Sequence, residues 1–417
     1  ATGTTAHSTT ITGLAAGTIY NYYVRCQDTA GNANPDDYPI TFSVASTTIG
    51  LPQGPEIFNV PYSLPAGGKT WTVNSGDNLQ TAINNASLGD VIVLQAGVTF
   101  TGNFKLPNKT GAGWIYIVSS ELDQLGGEGV RVRPQDAVHM PKIVTPNSWP
   151  AIYTAFAAHN YRLAGIEVIT NVATYPLISM GYGTVNDNDP IYSRIGATSV
   201  SQLPYNITID RSYLHSTNDA PPWVRARIGI IADGKYIAVV DSYLSNFHDS
   251  QDAQAILIWN GEGPYKFVNN YLEATGENFM SGGNDPAIPN AIPSDIEFRG
   301  NYLYKPLAWQ AYTTTAELHI VKNLFELKNA KRVLIDGNVL ENNWTSAQTG
   351  TAVLFKSVNQ GGTAPWSAVQ DITMTNNILR HVEGVMKVTG EDYQWPSGSG
   401  QTQRILVQNN VFEDVYL

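Results

Sequence analysis

The stretch DIEFRGNYL (295–303) decides the fold, because related stretches recur along the second half of the chain. Each one alternates apolar and polar residues, reaches a turn pair of polar residues or glycine, and resumes with an aliphatic or aromatic residue. The other copies are NITIDRSYL (206–214), YIAVVDSYL (236–244), YKFVNNYL (265–272), RVLIDGNVL (332–340), DITMTNNIL (371–379) and RILVQNNVF (404–412). Between the second turn residues of successive copies, from Ser212 to Asn410, the steps are 30, 28, 31, 37, 39 and 33 residues. A period of this length predicts a solenoid.

These repeats favour stacked β-strands over helices. A strand that alternates apolar and polar residues cannot bury its apolar face alone, whereas stacked coils bury it against their neighbours. The repeats are rich in β-branched and aromatic residues, and no segment longer than about ten residues follows the 3.6-residue period of a helix. The sequence therefore predicts an all-β solenoid.

On these repeats the chain resembles the right-handed parallel β-helix proteins of the pectate-lyase-like superfamily. In that fold, an asparagine at the same turn of successive coils stacks into a ladder of side-chain amides. The resemblance implies this structural role for Asn270, Asn301, Asn338, Asn377 and Asn410. Ser212 and Ser242 stand at the same turn in place of asparagine, so the ladder should be incomplete in the earlier coils.

Composition indicates an extracellular protein that contacts carbohydrate. Only 14% of the residues are charged, while the chain has 22 Tyr, 9 Trp, 37 Gly and a net charge of −11, which argues against nucleic acid or an anionic membrane as partner. No apolar run is long enough to span a membrane, and the single Cys26 allows no internal disulfide. We expect a secreted or cell-surface protein with polysaccharide as its partner, and with cell-surface or self-assembly contacts as a further expectation.

The first 45 residues form a separate module in the sequence. Alternation at 20–24 and 40–44 surrounds a Gly-Asn turn. This segment resembles the C-terminal half of a fibronectin type III domain, a partial β-sandwich. The matching residues are Leu14, Gly17, Thr18 and Tyr20, as its tyrosine corner, and the turn at 28–32. Proline and glycine at 46–70 predict a linker, which leaves 71–417 for the β-helix.

The start of the β-helix carries a predicted cap helix. Asp77 is suited to cap a short helix in which Leu79, Ala82 and Ile83 share one face. In β-helix proteins such a helix plugs the N-terminal end of the core. An open end would expose unpaired backbone groups of the first coil.

One lateral sheet of the solenoid is predicted to carry the functional groove. Aligning the short strands that precede each turn places six segments on that sheet. They are VRARIGIIADG (224–234), DAQAILIWNG (252–261), GENFMSGG (276–283), KNLFELKN (322–329), AVLFKSVN (352–359) and GVMKVTG (384–390). The loops 244–254 and 284–293 are expected to wall this sheet. Earlier in the chain, 114–120 and 160–170 predict strands of the first coils, and 172–205 predicts an insertion.

Two carboxylates, Asp252 and Glu277, enter the predicted sheet at similar heights on neighbouring coils. Because neighbouring strands lie about 4.8 Å apart, the two carboxyl groups are expected about 5 Å apart. That separation suits a retaining glycosidase pair or shared metal ligation. Asp249 adds a third oxygen donor, so Asp249, Asp252 and Glu277 are the predicted ligands of a calcium ion. The alternative is that these carboxylates only accept hydrogen bonds from backbone amides in turns.

Cations flank the same face of the predicted sheet. They are Arg225 and Arg227, one coil before the carboxylates, and Lys322, Lys328, Lys356 and Lys387 on later coils. Alternation in NLFELKN directs Glu326 and Lys328 outward. Such a cluster suits β-elimination, in which a metal ion or cation neutralises a uronate carboxylate and a neutral Lys or Arg removes the C5 proton. The alternative is a solvated row of ion pairs.

The candidate site residues follow from these patterns. The catalytic candidates are Asp252, Glu277, Arg225, Arg227, Lys322, Glu326, Lys328 and Lys356. Trp259, Asn278 and Trp309 are candidate substrate contacts, because exposed indoles stack on sugar rings. The histidines at 215, 248 and 319 fall on different coils and predict no zinc site.

The sequence leaves three functions open. The first is a polysaccharide lyase that acts on a uronate-containing polymer, with calcium held by the three carboxylates. The second is a glycoside hydrolase that uses Asp252 and Glu277 as its carboxylate pair. The third is a non-catalytic surface, adhesive or filament-forming protein. The NTD, DD, GHG and RIK set of polygalacturonase-type hydrolases and the vWiDH and RxPxxR elements of pectate lyases are not found, so the resemblance implies a fold and no particular substrate.

Overall fold

The computed structural model describes residues 9–28, 30–44, 50–181, 196–217, 224–312, 319–390 and 398–416. The chain divides into two compact units, residues 1–51 and residues 52–417. No helix among the described residues is long and apolar enough to cross a membrane.

The first unit contains an antiparallel pair of strands, Ile19–Val24 and Tyr38–Ser43. The rings of Tyr20, Tyr22 and Phe42 stack on one face of the pair, with centroids 5.7–6.3 Å apart. The Tyr20 hydroxyl accepts a hydrogen bond of 2.6 Å from the Ala15 backbone N–H. The likeness to half of a fibronectin type III domain stays a prediction.

The second unit is a parallel β-helix of three sheets. In each sheet, every strand pairs in parallel with the strands of the coils before and after it. Sheet 1 contains Thr70–Val73, Val91–Leu94, Ile115–Ser119, His159–Ala164, Tyr205–Asp210, Lys235–Val240, Tyr265–Val268, Ser294–Arg299, Ala330–Asp336, Val369–Thr375 and Gln403–Gln408. Sheet 2 contains Thr99–Thr101, Lys142–Thr145, Glu167–Thr170, Tyr213–Ser216, Tyr243–Phe247, Tyr271–Ala274, Tyr302–Tyr304, Val339–Asn343, Ile378–Val382 and Val411–Val415. Sheet 3 contains Phe104–Leu106, Ile152–Thr154, Thr174–Met180, Ala226–Ala232, Gln254–Ile258, Glu277–Ser281, Phe325–Leu327, Thr351–Lys356 and Gly384–Thr389.

The predicted solenoid is therefore confirmed, and all six segments assigned to the groove sheet contribute strands to sheet 3. One assignment was wrong. The strand Thr174–Met180 belongs to sheet 3, although it lies in the stretch 172–205 that we interpret from sequence as an insertion. Pro176 interrupts its alternating pattern, and a long connection separates it from the next repeat, so the strand was not recognised from the sequence. The NDNDP segment at 186–190 lies outside the described residues.

Apolar columns fill the interior of the β-helix. On sheet 1, residues in register on successive coils stack into one column that is at most 1% exposed. They are Ile207, Ile237, Tyr265, Ile296, Val333 and Ile372. Burying one such side chain contributes about 1.5–3 kcal/mol, which offsets part of the conformational entropy that each coil loses.

The turn between sheets 1 and 2 explains why each repeat contains a pair of polar residues or glycine. The first residue of the turn pair adopts left-handed backbone geometry, which glycine and asparagine tolerate best. Examples are Asn269, Gly300, Gly337, Asn376 and Asn409, with φ of 58°, 61°, 65°, 58° and 55°. The second residue then carries its side chain into the turn, where the ladder forms.

The predicted asparagine ladder is present. The Asn270 side-chain amide donates to Asn301 Oδ1 at 3.1 Å, and Asn301 donates in the same way to Asn338 at 3.1 Å. Asn338 and Asn377 continue the ladder, each donating at 2.8 Å to the next rung. In the earlier coils, serine hydroxyls take the place of the asparagine amides. The Ser242 hydroxyl oxygen, for example, accepts a hydrogen bond of 3.1 Å from the backbone N–H of Ser212 in the preceding turn. The amide ladder is thus incomplete there, as expected.

One α-helix, Leu79–Asn85, lies at the start of the β-helix and buries Leu79, Ala82 and Ile83 in the core. Its N-cap is Asn78, whose Oδ1 accepts the Thr81 N–H at 2.9 Å. The predicted N-cap, Asp77, instead accepts from the Asn74 N–H at 2.8 Å, in the turn before the helix. The role of this helix as a plug stays a prediction. Short 3-10 helices cover Leu122–Leu125, Pro134–His139, Val200–Gln202 and Leu307–Tyr312.

Residues 53–62, within the stretch predicted as a linker, lie along the outer face of sheet 1. We call them the strap. The backbone N–H groups of Gln53 and Glu56 donate to Asp371 and Asp295 at 3.1 and 2.9 Å. Toward the other end, Arg162 donates to the carbonyl oxygens of residues 60 and 61 at 2.8 and 2.9 Å. The strap therefore joins coils that are far apart in sequence.

Replacing Arg162 with methionine is expected to lower the free energy of unfolding by about 3 kcal/mol. The Arg162 side chain is 3% exposed and binds the buried Asp210 carboxylate at 2.9 Å as well as the strap, so its loss removes one of the two guanidinium partners of Asp210 and the donor to the strap carbonyls. Chemical denaturation measures the change. Arg299→Met is the control, because Arg299 is 46% exposed and its ion pairs should contribute less than about 1 kcal/mol. Equal losses in the two variants would contradict the structural role given to Arg162.

Candidate active site on sheet 3

The outer face of sheet 3 carries ionisable side chains from several coils. Phe325 and Leu327 point into the core, which directs Glu326 and Lys328 outward, as the alternation predicts. Glu326 pairs in register with Met280 on the preceding coil and with residue 354 on the next. The sheet thus lines up side chains from several coils on one surface.

Glu277 lies on this face and, like Glu326, is fully buried. Its Oε2 accepts a hydrogen bond of 2.7 Å from Gln254, the residue in register on the preceding coil. The Lys322 ammonium lies 3.9 Å from its Oε1 and 2.5 Å from Asp252 Oδ2. Lys322 therefore bridges Asp252 and Glu277, the two carboxylates that the sequence places on neighbouring coils.

The surroundings of Glu277 favour its protonated form. Burial raises its pKa to about 8, and the negative charges of Glu326 and Asp252 add to this effect. The cations Lys322 and Lys328 act in the opposite direction but do not outweigh burial. At neutral pH, Glu277 therefore holds a proton, which is the condition expected of a group that exchanges protons during catalysis.

Lys328 is a permanent cation beside Glu326. Its Nζ lies 2.8 Å from Glu326 Oε1. Burial would lower the pKa of Lys328, but the charges of Glu326 and Glu277 outweigh it and raise the pKa above the usual value. Lys328 is therefore suited to hold a negative charge and unsuited to act as a base.

A concave pocket of about 320 Å³ opens on this face next to Lys328, and we call it the lysine pocket. The pocket is lined by Asn323, Lys328, Gln348, Thr349, Thr351, Leu354, Lys356, Val358, Gln360 and Lys387. Three of these residues are lysines, and no described lining residue is acidic. Asn323 Oδ1 is buried and has no hydrogen-bond partner, which is unusual for a buried polar atom. The pocket therefore combines positive charge with hydrogen-bonding capacity for a ligand.

The two arginines predicted to be catalytic anchor the neighbouring turn. Arg227 Nε donates to the Asp252 carbonyl oxygen at 2.8 Å, and Arg225 donates to Ser250 Oγ at 3.4 Å. Asp249 in the same turn accepts the Gln251 N–H at 2.9 Å. These contacts fix the turn that presents the Asp252 carboxylate to Lys322.

The described residues do not fit the calcium site predicted at Asp249, Asp252 and Glu277. The Lys322 ammonium already lies between Asp252 and Glu277, and the Asp249 carboxylate accepts hydrogen bonds within its own turn. Among the described residues, no group of three His, Cys, Asp or Glu side chains is arranged to hold a metal ion. The mechanism proposed below does not use calcium. A dependence of activity on calcium stays a prediction, which an assay with a chelator tests.

The predicted substrate contacts lie below the surface. Trp259 and Trp309 are 9% and 4% exposed, which leaves little ring surface for a sugar. Asn278 is fully buried and donates to the carbonyl oxygens of residues 272 and 304 at 2.7 and 2.9 Å. Asn278 also accepts a hydrogen bond of 3.0 Å from the Lys305 ammonium, so its polar atoms are used within the fold.

Two histidines that the sequence separates come together in the fold. The rings of His248 and His319 stack with centroids 5.0 Å apart, and His319 also contacts Trp309 edge-on. Burial lowers the pKa of His248 to about 3, so it is neutral at physiological pH. The sequence did not predict this contact, because the two rings are 71 positions and two coils apart along the chain.

Lys305 is a residue of the site region that sequence reasoning missed. It is fully buried, and its ammonium donates to the carbonyl oxygens of residues 274, 275 and 276 at 2.7, 2.9 and 2.8 Å. Burial lowers its pKa to about 7. The turn that Lys305 holds leads directly into Glu277. Gly276 in this turn approaches the Ala253 backbone so closely that an added Cβ would lie 2.6 Å from the carbonyl oxygen.

Comparison with known proteins gives a likeness to β-helix structures. No protein-family model matches the chain, and no curated protein matches it. An alginate lyase from Paenibacillus sp. str. FPU-7 has a TM-score of 0.47 at 14% identity, covering 81% of this chain and 99% of that one. The pectate lyase Pel9A has a TM-score of 0.41 at 13% identity and 77% coverage of both chains. A family 28 exopolygalacturonase from Yersinia enterocolitica has a TM-score of 0.31 at 14% identity, covering 97% of this chain and 72% of that one. Because these scores are low, the fold assignment rests on the three sheets themselves.

Proposed function

We propose that this protein is a secreted polysaccharide lyase that cleaves a uronate-containing polymer on the outer face of sheet 3. The observation that carries the proposal is the lysine pocket, which lies on the same face as Glu277 and Lys322. The chain has a net charge of −11, yet three lysines surround this one pocket. A local positive field of this kind favours an anionic ligand, and the carboxylate of a uronate is such a ligand.

β-Elimination needs positive charge at the uronate carboxylate, a base for the C5 proton and a proton for the leaving oxygen. Lys328, Lys356 and Lys387 supply the positive charge, which stabilises the negative charge that builds up on the carboxylate. As the C5–H bond breaks, its electron pair forms the C4–C5 double bond and the C4–O bond breaks. No water is consumed, so the products carry an unsaturated sugar at the new end.

In this proposal, Lys322 moves the proton. Its side chain is 16% exposed, and behind it lies Glu277. While Glu277 is protonated, it cannot take a proton from Lys322. Once Glu277 has lost that proton, it takes the proton of Lys322, and the amine that this transfer leaves is the base. Neutral Lys322 takes the C5 proton and then returns a proton to the leaving oxygen, which restores the starting form.

Replacing Lys387 with alanine is expected to raise KM for an acidic polymer about tenfold and to change kcat less. Lys387 is exposed at the rim of the lysine pocket, so its loss weakens carboxylate binding without opening the core. Steady-state kinetics on polygalacturonate or alginate measure both constants. Lys235→Ala removes an equal charge from sheet 1 and serves as the control. A KM equal to that of the unmodified protein would contradict the assignment of the pocket.

The function itself is tested with a panel of polymers. Alginate, polygalacturonate and neutral dextran are incubated with the protein, with and without a calcium chelator. The products are measured by the ultraviolet absorbance of unsaturated uronate and by reducing ends. We expect absorbance with the acidic polymers and none with dextran. If the chelator abolished that absorbance, calcium would be required for the reaction. If neither absorbance nor reducing ends increased, the non-catalytic alternative would be favoured.

A glycoside hydrolase is the second candidate, and one observation favours it. Asp252 is paired with the Lys322 cation, whereas burial raises the pKa of Glu277 to about 8. One ionised and one protonated carboxyl group form the acid and base pair of many glycosidases. The panel separates this reaction from the lyase, because hydrolysis yields reducing ends without the unsaturated product.

A further inference from the structure

A second cleft, of about 720 Å³, lies on the outer face of sheet 2, away from the residues of the sheet 3 site. A loop within 129–135 forms its wall, and strands of sheet 2 form its floor. The volume falls in the range of pockets that enclose small ligands. Neither the sequence patterns nor the proposed lyase reaction assigns a role to this cleft.

The wall of the cleft is held in place by hydrogen bonds. The Val132 N–H donates to the Asp241 carbonyl oxygen at 3.0 Å. The Arg131 guanidinium donates to the carbonyl oxygens of Asn269 and Gly300 at 3.0 and 2.8 Å, in the turns between sheets 1 and 2. The cleft is therefore a preformed feature of the fold, and binding there requires little ordering of the wall.

The floor of the cleft is aromatic. Tyr243 and Tyr271 stack with ring centroids 4.1 Å apart, and Tyr302 meets Tyr271 edge-on at 5.6 Å. The Tyr271 hydroxyl donates to Glu273 at 2.7 Å, and the Tyr302 hydroxyl donates to Glu341 at 2.5 Å. These bonds fix the rings. Tyr271 is buried and supports its neighbours, so the half-buried Tyr243 and Tyr302 offer the apolar surface to a sugar, at little entropic cost.

The charge of the cleft is opposite to that of the whole chain. Its lining includes Arg131 and the exposed Arg133, and no described lining residue is acidic. We propose that this cleft is a non-catalytic binding site for an acidic saccharide. Tyr302 and its neighbours contact the sugar ring, and Arg133 binds the carboxylate, a pairing that guanidinium groups favour. The site would hold an acidic polymer on a face of the solenoid other than the one that cleaves it.

The test is affinity electrophoresis of the whole chain through gels containing polygalacturonate or neutral dextran, with mobility expressed relative to a gel without polymer. Arg133→Glu and Tyr302→Leu are expected to weaken the retardation by polygalacturonate about fivefold or more, as a ratio of apparent Kd values. Arg299→Glu reverses the same charge on sheet 1 and is expected to change it little. Thermal unfolding of each variant shows whether the fold is intact. Turnover of short uronate oligomers, measured separately, should stay unchanged in Arg133→Glu.

The possible outcomes separate this proposal from the proposed lyase function. Selective loss of retardation in Arg133→Glu supports the cleft even if no polymer is cleaved. Equal retardation of Arg133→Glu and the unmodified protein would overturn it, as would equal retardation by dextran and polygalacturonate. If Arg133→Glu lost turnover of short oligomers, the cleft would belong to the catalytic reaction, and the non-catalytic assignment would be wrong.

Discussion

Glu277→Gln is expected to lower kcat by about 10²–10⁴-fold while the β-helix stays folded. Glutamine has nearly the shape of the protonated glutamate and can keep the hydrogen bond to Gln254, but it cannot take a proton from Lys322. Without this proton transfer, the proposed route to a base for the C5 proton is lost. Initial rates on an acidic polymer, measured with equal amounts of folded protein, give the change.

The same substitution should alter the pH dependence of the rate. Below pH about 8, Glu277 holds a proton and cannot accept one from Lys322. Activity should therefore rise as the pH increases through about 8, because Glu277 loses its proton there and can then accept one from Lys322. In Glu277→Gln this rise should disappear from the profile of kcat/KM. A profile of unchanged shape in the variant would contradict the proton exchange.

Stability should respond to pH in the opposite direction. The pKa of Glu277 is raised by folding, from 4.5 to about 8, so between these values the native state holds a proton that the unfolded chain has lost. The contribution of Glu277 to the free energy of unfolding therefore falls as the pH rises through that window. Glutamine does not titrate, so the Glu277→Gln variant should not lose this stability. At pH about 8 its free energy of unfolding, measured by chemical denaturation, should exceed that of the unmodified protein.

The matched control is Glu297→Gln. Glu297 lies on sheet 1, its side chain is 5% exposed, and it pairs with Lys266 at 2.6 Å, so the chemical change is the same on another face. This variant should keep its activity. Similar activity losses in both variants would show that removing any buried carboxylate harms the protein, and Glu277 would lose its special role.

Asn338→Ala is expected to lower the free energy of unfolding by about 3 kcal/mol or more. Asn338 lies in the middle of the ladder and is 1% exposed. Its Oδ1 accepts from the backbone and side chain of Asn301 at 2.8 and 3.1 Å, and its amide donates to the Phe298 carbonyl oxygen and to Asn377. Alanine leaves these buried partners without their hydrogen bonds, and water does not reach them.

Guanidinium unfolding followed by both circular dichroism and tryptophan fluorescence measures the effect, because coils of a solenoid can unfold in separate steps. Asn410→Ala is the matched control. Asn410 is the last rung and is partly exposed, so water can replace its bonds and the loss should be about 1 kcal/mol. A smaller loss at Asn338 than at Asn410 would contradict the role of the ladder in stability.

The fold could be predicted from sequence because its signals are local. The turn pair needs left-handed backbone at one position and an amide at the next, so each coil repeats a pattern such as Gly300-Asn301 or Asn376-Asn377. The strand Thr174–Met180 escaped this reasoning, because a proline interrupts its pattern and a long connection separates it from the next strand of sheet 1.

The site could be predicted only in part. Alternation directed Glu326 and Lys328 outward, and coil spacing brought Asp252 near Glu277. The position of Lys322 between two carboxylates depends on side-chain conformations that spacing does not fix. Lys305 gave no signal, because a buried lysine that binds backbone carbonyls looks in the sequence like any surface lysine.

The most direct test of the central claim is the mass of the oligomers released from polygalacturonate and alginate in water labelled with heavy oxygen. A lyase breaks the C4–O bond without adding water, so we predict unlabelled products, each with an unsaturated sugar at its new non-reducing end. Products that carry the heavy oxygen at the new reducing end, and no unsaturated sugar, would contradict the lyase and assign hydrolysis to Asp252 and Glu277.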